Sequence, residues 1–213
     1  HNPATNGAYN DTTKVVDEIF PGGKYSKTFT SYLDGIAKVA QSSKDAQGNL
    51  IPIIFRPLHE NNGNWFWWGA THASKAEYIE LYRYIVNYLR DVKGVHNLLY
   101  AYSPGGTFNG DPADYLATYP GDDYVDVLGY DYYDSTSAGS DSSTWISTAV
   151  KDMAMIGNLA QNSGKVSAFT EFGQTNGRKI TETANANPEF FSQLAQAIAK
   201  GAPKTAYMMA WAN

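Results

Sequence analysis

The 213-residue sequence has no cysteine, which excludes disulfides and thiolate metal sites and is compatible with the cytoplasm, a bacterial periplasm or a bacterial cell surface. Histidine is nearly as scarce, with His1, His59, His72 and His96 the complete set. The pair His59-Glu60 fails the H-E-x-x-H zinc pattern because position 63 is Gly. His72 and His96 stand alone and read as surface or capping residues, so no metal or other cofactor is expected. Basic residues form no run, and 16 Lys+Arg against 21 Asp+Glu leave a net charge of -5. That balance lacks the attraction that nucleic acids or anionic membranes need, and it suits a neutral substrate. No apolar run approaches the ~18 residues of a membrane span. No signal-peptide pattern opens the chain, but its first residue is His rather than Met, so location stays open on composition alone. Neither glycine-rich nucleotide turn occurs, nor does the G-x-S-x-G nucleophile elbow.

Aromatic residues are abundant: 16 Tyr, 5 Trp and 9 Phe. Most aromatics in any globular protein belong to its core, so clustering is the more telling signal. Trp65, Phe66, Trp67 and Trp68 lie beside Gly63 and Gly69, and Tyr130, Tyr132 and Tyr133 beside Gly129. Flat apolar faces next to polar groups are the surfaces on which pyranose rings stack.

Short β-rich runs alternate with helical patterns. Leu50–Phe55, Leu98–Tyr102, Tyr124–Gly129, Val166–Phe169 and Ala206–Ala210 are mostly apolar on both faces, as strands of a buried parallel sheet are. Between them, Phe29, Leu33, Ile36, Ala37 and Ala40 recur at helical spacing, as do Tyr78, Leu81, Tyr82, Ile85 and Leu89 behind the N-cap candidate Ser74. Ser143 through Leu159 and Pro188 through Ala199 read as helices, the latter capped by Asn187, and a shorter helix is expected near Pro112–Thr118. An open doubly wound sheet and a (β/α)8 barrel share this order. The missing nucleotide turn and the long polar-aromatic loops Arg56–Ala73, Ser103–Asp111, Tyr130–Ser142 and Thr170–Asn187 favour the barrel, whose C-terminal mouth gathers such loops. Five strands are fewer than the eight a closed barrel needs. Strands upstream, or supplied by a second chain, are therefore expected. No repeat, low-complexity tract or linker divides the sequence, and residues 1–213 read as one domain.

Two carboxylates stand out. Arg56, His59 and Glu60 follow an apolar run and precede four large aromatics, whose cover would desolvate Glu60 and raise its pKa, as a general acid near neutral pH requires. Glu171, in Thr170-Glu171-Phe172-Gly173, closes another run. Retaining glycoside hydrolysis needs two such groups about 5–5.5 Å apart. Asp122, Asp123 and Asp126 read as a turn or helix terminus, and the sequon Asn10-Asp11-Thr12 as accidental.

The stretch Arg56–Gly69 resembles the hallmark of glycoside hydrolase family 26, chiefly β-mannanases on a (β/α)8 TIM barrel with catalytic glutamates after strands four and seven. Glu171-Phe172-Gly173 is similar to its nucleophile region, and the number of intervening strands agrees. The resemblance implies Glu60 as acid/base and Glu171 as nucleophile of a double displacement on β-1,4-mannosidic linkages of mannan or manno-oligosaccharides. It implies substrate contacts from Arg56, His59 and Trp65, with Tyr133 on the nucleophile and Trp211 flooring the subsite where the bond breaks. His1 resembles the histidine ending strand three, so residues 1–213 correspond to a partial barrel from about the end of strand three to the end of strand eight. A secreted, periplasmic or cell-surface bacterial location goes with a polysaccharide substrate. Activity on β-1,3-xylan or mixed-linkage β-glucan is the alternative within the family. A carbohydrate-binding fragment without chemistry is the alternative outside the enzyme class.

Overall fold

The computed structural model describes residues 1–136, 141–175 and 187–211. The chain is α/β, with five strands in order: β1 (Ile53–Phe55), β2 (Leu98–Tyr102), β3 (Val127–Asp134), β4 (Val166–Gln174) and β5 (Thr205–Ala210). The principal helices are α1 (Ser26–Ser42), α2 (Lys75–Asn87), α3 (Pro112–Tyr115), α4 (Ser143–Asn162) and α5 (Phe190–Gly201). Among the described residues, no helix is long and apolar enough to cross a membrane. The chain forms two compact units, one of His1–Ala101 with Ala117–Asp126 and one of Tyr102–Leu116 with Val127–Asn213.

In the first unit β1 runs parallel to β2, pairing Ile53 with Leu98 and Phe55 with Tyr100. Helix α1 buries Phe29, Leu33, Ala37 and Ala40, and α2 buries Tyr78, Leu81, Tyr82 and Ile85. These are the three- and four-residue spacings of one helix face, and each large side chain contributes about 1.5–3 kcal/mol when fully buried. Ser74 caps α2 in a reciprocal box. Its hydroxyl accepts from the Glu77 N–H, and the Glu77 carboxylate accepts from the Ser74 N–H at 2.7 Å. The expected strand from Leu50 is shorter because Pro52 has no N–H to give a ladder. Leu50 bridges instead to Lys44 across a turn that the Asp45 carboxylate holds through Gln47 and Asn49.

In the second unit β3, β4 and β5 pair in parallel in that order. The expected ends of β3 and β4, at Gly129 and Phe169, fall short. Both strands continue for five residues, to Asp134 and Gln174. The register shows how: Tyr130 pairs with Phe169 but Asp131 with Glu171, so Thr170 is an extra residue in β4 and the ladder resumes beyond it. At its start β3 is shorter than expected, because Asp122–Tyr124 form a 3-10 turn. Helix α5 begins at Phe190 rather than at Pro188. Asn187 does not cap it through its side chain, which donates to the Asp141 carbonyl and to Gln193. The fully buried Asp152 of α4 accepts from the Thr107 hydroxyl and from the N–H groups of Phe108 and Gly110, tying the loop after β2 to that helix. Residues 137–140 and 176–186 of the two long loops expected after β3 and β4 lie outside the described residues.

The capping box yields a test. Hydrogen bonds from the Ser74 side chain and then its backbone lower the Glu77 pKa in the fold. This contribution is present above the ordinary glutamate pKa of about 4.3 and fades as pH falls through the lower folded value. Ser74→Ala is expected to cost about 1 kcal/mol at pH 7, read as a melting-temperature drop that narrows at pH 3.

Candidate active site

The loop after β1 carries Arg56, His59, Glu60 and Trp65. Leu58 and Glu60 sit in the left-handed backbone region, at φ 55° and 50°. For residues with a Cβ this costs of order 1–3 kcal/mol each and persists only where surrounding contacts enforce it. The enforcing contacts are visible. The Tyr78 hydroxyl donates to the Leu58 carbonyl at 3.2 Å, the Trp68 indole N–H to the His59 carbonyl at 2.8 Å, and the Gly63 N–H to the Glu60 carbonyl at 3.0 Å. The loop closes further on, where Ala70 N–H donates to the Gly63 carbonyl at 2.8 Å. A Cβ at Gly69 would collide with that same carbonyl, and one at Gly63 with the Trp65 ring.

The aromatic cluster divides by role. Phe66, Trp67 and Trp68 are buried: Phe66 stacks on Trp68 at 4.4 Å, and Trp67 meets Phe29 of α1 edge-on. The His59 ring rests 4.8 Å from Phe66. Trp65 is 48% exposed, and its indole N–H donates to Glu60 Oε2 at 2.7 Å. The cover expected from four aromatics over Glu60 is thus largely core packing, and Glu60 itself is half-buried. Arg56 is half-buried at the start of the same loop. His1 lies apart from that loop in sequence, exposed, with its Nδ1 on the Gly7 carbonyl at 3.2 Å and its ring facing Tyr32 of α1. His72, expected to have no functional role, bonds the Asn64 carbonyl at 3.1 Å and helps close the aromatic loop.

In the second unit Glu171 lies within β4, not after it, and is 7% exposed. The Tyr133 hydroxyl donates to Glu171 Oε1 at 2.5 Å. The other two tyrosines of β3 do different work. Tyr130 is fully buried against Phe169, and burial pushes its phenol well above the ordinary tyrosine value. Tyr132 stacks on Trp145 at 5.0 Å, and burial raises its pKa too. Trp211 follows β5, its N–H bonded to the Phe172 carbonyl at 2.8 Å and its side chain 58% exposed.

A buried polar knot that sequence reasoning missed sits at the extra residue of β4. Asp131 Oδ1 accepts from the Ser103 hydroxyl at 2.7 Å and from the Thr170 hydroxyl at 2.8 Å, and the two hydroxyls lie 2.7 Å apart. Asp131, Ser103 and Thr170 are each at most 2% exposed. The Thr170 side chain lies where a Cβ on Gly129 would be, so that position needs glycine. The one sequence signal was an aspartate between tyrosines in Gly129-Tyr130-Asp131-Tyr132-Tyr133, too common a pattern to single out.

Taken unit by unit, this is an α/β protein that presents one glutamate on the loop beyond a parallel strand and another inside a strand, each bonded by an aromatic side chain. The profile of glycosyl hydrolase family 26 matches residues 2–204, and the chain belongs to that family. It is 64% identical over 214 residues to a mannan endo-1,4-beta-mannosidase of Bifidobacterium adolescentis, covering 100% of this chain and 21% of the relative. Among solved structures, a modular endo-beta-1,4-mannanase from Cellulomonas fimi is 48% identical with a TM-score of 0.90, covering 100% of this chain and 46% of that one. The catalytic domain of a family 26 endo-beta-1,4-mannanase from a Bacillus species is 44% identical with a TM-score of 0.89, and 55% of it is covered. The chain thus spans about a fifth to about half the length of these relatives.

The knot at Thr170 makes a prediction. Thr170→Val keeps the shape but leaves buried oxygens short of a donor, a loss of about 1–3 kcal/mol. Thermal unfolding should register a drop of about 2–4 °C per kcal/mol.

Proposed function

We propose that this chain carries the catalytic machinery of a retaining β-1,4-mannanase, with Glu171 as nucleophile and Glu60 as general acid/base. Glu171 attacks the anomeric carbon while Glu60 gives its proton to the departing glycosidic oxygen, and a glycosyl ester forms on Glu171. Glu60, now ionised, removes a proton from water. That water attacks the same carbon, expels the Glu171 carboxylate and restores the β configuration. The observation that carries the reading is the Tyr133 phenol on Glu171 Oε1, which fixes the orientation of a buried carboxylate in the manner a nucleophile requires. Arg56, His59 and His1 bind sugar hydroxyls, and the exposed indoles of Trp65 and Trp211 offer faces for sugar rings. The substrate is β-mannan or manno-oligosaccharide, by analogy with the mannanases to which the chain is similar.

The same reading assigns residues 1–213 to one (β/α)8 barrel, completed by an upstream segment or a second chain. It is supported by the greater length of the relatives and by the apolar side chains that the strands leave exposed, Ile54 at 46% and Val166 at 46% among them. A secreted, periplasmic or cell-surface location in a bacterium follows from a polymeric substrate too large to cross a membrane.

The test is made on manno-oligosaccharides. Glu171→Ala should abolish turnover with little change in melting temperature, and a 2-deoxy-2-fluoro mannosyl donor should label Glu171 in peptide mass analysis. Tyr133→Phe should lower kcat by about 10–100-fold with KM nearly unchanged. Hydrolysis of β-1,3-xylan or mixed-linkage β-glucan with none of mannan would overturn the substrate assignment, and first-formed α-product in NMR would overturn the mechanism.

A further inference from the structure

We propose that Tyr78 and Trp68 are positioning residues for Glu60, holding the left-handed backbone that aims its carboxyl and so governing proton delivery. This rests on the reading of Glu60 as acid/base. The His59 carbonyl belongs to the peptide plane whose rotation defines φ of Glu60, and the Trp68 indole N–H fixes that plane at 2.8 Å. The next plane is fixed by Gly63 N–H on the Glu60 carbonyl at 3.0 Å, and the plane before His59 by the Tyr78 hydroxyl on the Leu58 carbonyl at 3.2 Å. Three successive carbonyls are thus engaged, with Leu58 and Glu60 both at positive φ.

Both side-chain donors are themselves held firmly. Trp68 is buried and stacked on Phe66. Tyr78 is 2% exposed in the first turn of α2, and its own N–H is bonded to Ser74 of the capping box at 3.0 Å. A glutamate released from these bonds relaxes toward the right-handed region that its Cβ prefers, and the carboxyl swings with the backbone. The two residues act on Glu60 through its backbone, so their loss should appear in the step that needs a proton.

The experiment compares aryl β-mannobiosides of differing leaving-group acidity, in the enzyme carrying this chain. Glu60→Ala is the reference: it should spare the 2,4-dinitrophenyl substrate in the glycosylation step, slow phenyl substrates severely, and respond to azide. Tyr78→Phe keeps the ring and removes one hydroxyl. It should lower kcat/KM about tenfold for phenyl substrates and within about twofold for dinitrophenyl substrates, with KM little changed. A uniform fall across leaving groups, or no fall, would overturn the proposal while leaving the role of Glu60 intact. If Glu60→Ala itself shows no leaving-group dependence, the acid/base assignment fails first and the proposal with it. If Tyr78→Phe melts below the assay temperature, Trp68→Phe carries the same comparison with the same expected pattern.

Discussion

One extra residue in a strand organises the second unit. At Thr170 the β4 backbone gains a residue relative to β3, so Tyr130 faces Phe169 while Asp131 faces Glu171. A parallel ladder does not admit such a step without a local account for its polar groups. That account is the knot of Ser103, Asp131 and Thr170, in which the Thr170 hydroxyl also reaches the Tyr130 carbonyl at 2.9 Å. Beyond the step Glu171 pairs with Asp131, and the Tyr133 phenol, two residues further along β3, reaches the Glu171 carboxylate.

The first unit solves a similar problem with a loop. An ionisable residue beyond a three-residue strand has little backbone pairing to restrain it. Here restraint comes from side-chain donors on main-chain carbonyls and from glycines that let the loop fold against itself at Gly63 and Gly69. The aromatic richness of the segment therefore serves two ends. Phe66, Trp67 and Trp68 are buried and pack on one another, and Trp65 alone of the four remains substantially exposed, beside Glu60.

The sequence was most legible where one physical signal dominated. Leu98–Tyr102 reads as a strand because it is apolar on both faces, and Ser74 as N-cap announces the start of α2 at the correct residue. Legibility failed where tertiary contacts overrode local rules. Asn187 fits an N-cap by sequence, but its side chain is drawn to Asp141 instead. Tyr-Asp-Tyr-Tyr and Thr-Glu-Phe-Gly look like loop because they are polar, yet they are strand because each pairs with the other across the extra residue. Glu60 and Glu171 could be picked out as a pair, each following an apolar run and set among aromatics, with Arg56 and His59 beside the first. Ser103 and Thr170 could not, because hydroxyl residues acquire meaning only once the strands are in register.

The tether from Asp152 to residues 107–110 has a mechanical corollary. Three donors from a loop converge on one carboxylate that has no solvent contact and stands midway along a twenty-residue helix. A loop anchored in that way cannot open by rotating a few of its own torsions, since any excursion must first strip a buried acceptor of its partners. Loosening this segment therefore requires breaking its bonds to the middle of α4, so its local opening should be coupled to that helix.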